Sequence, residues 1–125
     1  MNRIVRLFLC ASLVASLTFS IGISASFAQD AAAVNPASIK VLVDNDRVRI
    51  LDALIKVGAK EVMHSHPAYV SVILSGAKLK ITSPDGKAVE KERKTGEALY
   101  NEAATHTVEN IGTTDFHVII TELKK

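Results

Sequence analysis

Four histidines occur among the 125 residues, and three of them stand where a metal ion could use them. His64-Ser65-His66 places one residue between two imidazoles. On a β-strand side chains alternate between faces, so His64 and His66 share a face and can chelate one ion. His106 comes about forty residues later, at the start of another β-rich run. Three neutral imidazoles converging from two strands make a facial site that leaves coordination positions open for water or substrate. The same spacing also suits histidines in surface loops, or a pair that binds metal only adventitiously.

Other residues near these histidines carry usable chemistry. Tyr100 precedes His106 on a short β-run and is a candidate catalytic residue, presenting its hydroxyl as an acid, a base or a hydrogen-bond donor. Packing is the alternative role for such a ring. Glu102 could hydrogen-bond a ligating imidazole from behind or lie solvated in a turn. His117 sits in a strand with Phe116, Val118 and Ile119, which suggests a partly buried place at the mouth or on the outer face of the fold. Met63 faces away from the neighbouring histidines as packing, and Glu90-Lys91-Glu92-Arg93-Lys94 is a solvated strand face.

The elements that would carry these residues are short β-runs divided by turns. Ile39 to Val43 and Val48 to Val57 flank Asp44-Asn45-Asp46, and the second run breaks at Gly58. Tyr69 to Leu74 ends at Ser75-Gly76, Lys78 to Thr82 alternates cleanly, and Ser83-Pro84-Asp85-Gly86 is a hairpin signal before the polar strand Lys87 to Lys94. Ala98 to Tyr100, His106 to Glu109 and Phe116 to Leu123 complete the set. No amphipathic helix is evident. Many short strands at regular spacing predict an all-β sandwich or barrel.

The N-terminus reads differently. Arg3 and Arg6 precede an uncharged apolar stretch from Leu7 to Ile23 that ends in Ser24-Ala25-Ser26-Phe27-Ala28, the pattern of a secretory signal peptide over residues 1–28 cleaved after Ala28. A retained membrane anchor is the alternative for a stretch of this length. The expected mature chain is therefore periplasmic or secreted, begins at Gln29 and touches the membrane only through the signal. Cys10, the sole cysteine, leaves with it, so disulfide and thiol chemistry leave too. Removing Arg3 and Arg6 from 15 basic residues leaves 13 against 13 acidic ones, and this neutral balance without a basic patch excludes a nucleic-acid partner. Residues 29–38 read as a flexible leader and 39–125 as one domain with a single core.

The surroundings of the histidines resemble the two motifs of the cupin superfamily, in its small single-domain form. Gly58-Ala59-Lys60-Glu61-Val62-Met63-His64-Ser65-His66 matches the opening of the first, a glycine and five residues before His-x-His. Gly96, followed by His106-Thr107-Val108-Glu109-Asn110, is similar to the second. The resemblance spans nearly the whole mature chain. It implies a small antiparallel conical β-barrel (a double-stranded β-helix of jelly-roll type) holding one divalent metal ion, with His64, His66 and His106 as ligands. The sequence departs from the family pattern where a glutamate ligand is usual, because Val70 and Ser71 stand there. Gly76 closes the motif one place early, and Glu102 and Ala104 replace the usual proline and glycine before His106. Glu61 has the wrong parity to substitute and is expected on the other face.

From this follow two functional expectations. One is a mononuclear metal-dependent oxygenase or isomerase acting on a small anionic, chelating molecule. The other is a non-catalytic periplasmic protein that binds metal or a small ligand. Imidazole ligands suit Fe, Zn, Ni, Mn or Cu, and geometry and supply select among them. The apolar strand Ile39 to Val43 would leave an unpaired edge, so a homodimer is expected.

Overall fold

The computed structural model describes residues 29–125; the expected signal segment, with Cys10, lies outside the described residues. Nine strands follow one short helix: α1 (Ala31–Val34), β1 (Ile39–Asp44), β2 (Val48–Ile55), β3 (His64–His66), β4 (Tyr69–Ser75), β5 (Lys78–Thr82), β6 (Ala88–Glu92), β7 (Ala98–Asn101), β8 (Ala104–Asn110) and β9 (Phe116–Leu123). They form two sheets, ordered β1-β2-β9-β4-β7 and β3-β8-β5-β6. All pairings between these strands are antiparallel. This is the expected all-β jelly-roll barrel.

Alternation builds the interior. Leu51, Ala53 and Ile55 of β2, Ile73 of β4, and Phe116, Val118 and Ile120 of β9 are buried and face Leu79 and Val108 of the opposite sheet. Burying a side chain of this kind contributes roughly 1.5–3 kcal/mol, so these period-two runs supply most of the driving force for closing the barrel. Asp85 and Gly86 make the β5–β6 hairpin, with Gly86 at φ 84°, a value that suits glycine. Asn110 is a polar pin in the core. It is fully buried, donates to the carbonyls of Ile55 and Thr114 at 2.9 and 2.8 Å, and accepts from the Gly112 amide. Truncating it would leave buried carbonyls unpaired at about 1–3 kcal/mol each.

The expectation of a flexible leader over 29–38 is corrected. Asp30 caps α1 by accepting from the Ala33 amide, Ala31 is fully buried, and the Ser65 amide donates to the Gln29 carbonyl at 2.9 Å. Alanines and a proline look loose in isolation. Here long-range bonds to the His-x-His strand hold the segment in place.

Candidate metal centre

Strand β3 pairs with β8 so that His64 lies directly opposite His106. Directly opposed residues in an antiparallel pair share a face, and His66 shares that face by alternation. The three rings pack with centroids 4.9, 4.9 and 5.5 Å apart, and one nitrogen from each lies within 4.8 Å of the others. The sequence-predicted ligands are thus brought together, and all three are buried.

The hydrogen bonds around the rings decide which nitrogens are free. His64 Nδ1 donates to the Val62 carbonyl at 2.7 Å, because a carbonyl can only accept. Asn35 holds the same residue through its preceding peptide, its Oδ1 accepting from the Val62 amide at 2.8 Å. His66 Nδ1 donates to Glu122 Oε1 at 2.7 Å. Both rings therefore keep the Nε2 lone pair for a ligand, which is how a carboxylate or carbonyl behind an imidazole orients a metal site. Burial and the neighbouring imidazoles push His106 down to about 3, and burial lowers His64, so both stay neutral and able to ligate at ordinary pH.

Glu122 continues outward along the inward face of β9 that Phe116, Val118 and Ile120 begin. In register with it are Arg49 on β2 and Tyr69 on β4, and Tyr69 is opposite Asn101 on β7. One rung of the sheet thus presents Asn101, Tyr69, Glu122 and Arg49 to the metal end of the barrel. Arg49 lies 3.7 Å from Glu122 and forms a bidentate pair with Asp30. The leader segment is in this way wired to His66 through two ion pairs.

Several expected placements are corrected. Tyr100 is 60% exposed and pairs with Val70 on the outer face, so it does not reach the histidines. The aromatic hydroxyl in the cavity belongs to Tyr69, whose ring lies 4.9 Å from that of His66 and whose pKa is raised by burial. Ser71, not Val70, faces the interior at the place where a carboxylate was expected. Glu61 is buried, not turned to the other face. Residues 61–63 precede β3 and do not follow its parity, so the carboxylate folds inward to 3.8 Å from His64 Nε2 while accepting from Ser38 at 2.7 Å. It lies outside the three-histidine cluster, and burial raises its pKa. Glu102 is exposed, and His117 pairs with Asp52 at 2.7 Å on the outer face.

The cavity in front of the histidines has a volume of about 70 Å³. Its walls are apolar where Ile55, Ile73, Val108 and Phe116 close it, and polar where Tyr69, Ser71, Asn101 and Arg93 reach it. Asn101 donates to Ser71 Oγ at 3.2 Å, fixing that hydroxyl.

No family model matches the sequence, and no curated protein matches it. Solved structures do. A cupin domain from Bordetella pertussis Tohama I is similar at 27% identity and a TM-score of 0.64, over 70% of this chain and 92% of that one. A cupin family protein with a double-stranded β-helix fold from Methanocaldococcus jannaschii aligns at 18% identity and a TM-score of 0.55, over 69% of this chain and 78% of that one. A cupin 2 conserved barrel domain protein from Salinispora arenicola aligns at 15% and 0.52, over 69% and 74%. By this likeness, residues 29–125 form a small cupin-type domain.

Proposed function

We propose that this is an exported protein that holds one divalent metal ion through His64, His66 and His106 and binds a small anionic, chelating molecule on the ion's open face, in the manner of a mononuclear metal-dependent oxygenase or isomerase. The observation that carries the reading is the convergence of three imidazoles within 4.8 Å, two of them with Nδ1 already committed to an acceptor. Export rests on the basic and then apolar start of the sequence. When bound, such an ion supplies Lewis acidity toward a coordinated oxygen. Three neutral ligands leave its double positive charge uncancelled, which favours an anionic ligand.

The chain's own side chains have separable tasks. Glu122 and the Val62 carbonyl hold the two chelating rings in one tautomer. Tyr69, kept protonated by burial, donates a hydrogen bond or holds a proton at its phenolic oxygen beside the ligand. Ser71 and Asn101 offer further polar contacts, and the apolar wall keeps bulk water out.

Elemental analysis of protein taken from its native compartment tests the proposal. One redox-active metal per chain supports oxygenase chemistry, and zinc moves the reading toward a non-catalytic binder. His64→Ala should remove stoichiometric metal with the barrel still folded, because one side chain truncated beside a cavity does not empty the core. His117→Ala should keep the metal. Full occupancy in the His64→Ala, His66→Ala double variant would overturn the site.

A further inference from the structure

The cavity contains a charge that the metal reading does not use. Glu122 is balanced by Arg49 and by its bond to His66. Arg93 also lines the cavity, and among the described residues its guanidinium has no salt bridge or hydrogen bond. It is half-buried rather than solvated. Its positive charge reaches the Tyr69 hydroxyl, where it opposes the rise that burial imposes.

The backbone holds Arg93 in this place. Its amide donates to the Ala77 carbonyl at 2.9 Å. Gly76 passes so close beneath it that a Cβ there would meet the Arg93 carbonyl oxygen at 2.2 Å. Only glycine allows that approach. A half-buried guanidinium without a protein partner forfeits hydration that a ligand could restore, and its planar fork of donors matches a carboxylate in bidentate fashion.

We propose, building on the metal-site reading above, that Arg93 is the anion-recognising residue of this cavity and that the ligand is a small carboxylic acid of hydroxy- or oxo-acid size. Its carboxylate lies against Arg93, and its remaining oxygen turns toward the three histidines. Size supports the class. A cavity of about 70 Å³ accommodates roughly five to seven water-sized groups at ~10–15 Å³ each, which suits a three-carbon acid. Tyr69 and Asn101 lie opposite one another on β4 and β7 and line the same cavity, where the Tyr69 hydroxyl can donate to the ligand's oxygens.

The test uses the zinc-loaded mature protein and two probes of nearly equal shape, lactate and neutral lactamide, titrated calorimetrically. The wild type should bind lactate the more tightly. Arg93→Gln should weaken lactate about tenfold or more, the loss expected for one charge-assisted pair. Lactamide affinity and zinc stoichiometry should stay unchanged, and Arg93→Lys should recover part of the preference. If Arg93→Gln keeps the full preference for lactate, the charge that matters is the metal's, and the Arg93 assignment fails while the metal site stands. If the wild type holds zinc but does not distinguish the probes, anion recognition fails altogether. If it holds no zinc, the underlying metal reading fails, and lactate binding that still depends on Arg93 would uphold the arginine's role by itself.

Discussion

Glu122 and His66 sit 56 positions apart in the chain, and their side chains meet at 2.7 Å with both buried. The last strand thus sets the tautomer of a candidate ligand on the third. Glu122→Gln preserves the shape of the pair and removes its charge. Metal affinity, measured by competition with a chelator, should fall about 10–100-fold, with little change in the melting temperature of the metal-free protein. Unaltered affinity would make the pair a structural contact only.

Ser71 occupies the inward position where a fourth, anionic ligand would reach the ion. Ser71→Glu should therefore tighten metal retention and weaken binding of small chelating anions, because one unit of the ion's charge is cancelled. Val70→Glu is the control. Val70 pairs with Tyr100 on the outer face, so that carboxylate should change neither quantity. Equal effects from the two variants would mean that the strand's parity is misassigned.

In the metal-free protein acid should act through the histidines. A ring held neutral binds fewer protons folded than unfolded at every pH below its ordinary value of 6.5, and His106 is held down to about 3. Stability is therefore greatest above about pH 6.5 and falls as the pH drops from there toward 3. Asp30, held at about 2 chiefly by its bond from Arg49, contributes stability above its ordinary 3.8 that is lost as the pH falls through about 2. Melting temperatures between pH 4 and 8 should show the first decline, and His106→Asn should flatten it. An unchanged slope in that variant would place the acid sensitivity elsewhere.

The edge strand β1 exposes Val41, Leu42 and Val43, and an apolar edge invites a second chain. Light scattering of the 97-residue chain 29–125 at micromolar concentration should give twice its mass, and Leu42→Lys with Val43→Lys should give a monomer that still binds metal. A wild-type monomer would remove the case for a dimer.

The ease of reading this fold from its sequence differs from residue to residue, for physical reasons. Lys78–Thr82 and Phe116–Leu123 alternate because one face of each is core, and His64 and His66 share a face by the same rule. In β4 the rule loses its power. Tyr69, Ser71 and Ile73 face inward, yet Val70, Val72 and Leu74 on the outer face are the more apolar set, so hydrophobicity points the wrong way. Tyr100 suffered likewise, since a four-residue strand carries too little pattern to orient it. Glu122 did leave a signal, a carboxylate in parity with three buried apolar residues. Asp30 and Asn35 left none, because their partners Arg49 and Val62 are distant in the chain, and Arg93 left none, because only the folded topology brings it to the cavity.

The position of Gln29 bears on how the protein should be handled. Its carbonyl accepts from Ser65, the residue between His64 and His66, and the next residue caps α1 and pairs with Arg49. A tag fused directly ahead of Gln29 would start beside β3. An affinity tag there would crowd the metal end and could add histidines of its own beside it, so low metal content in such a preparation would report on the tag. A fusion following Lys125, which is exposed, avoids that strand's bond to Gln29.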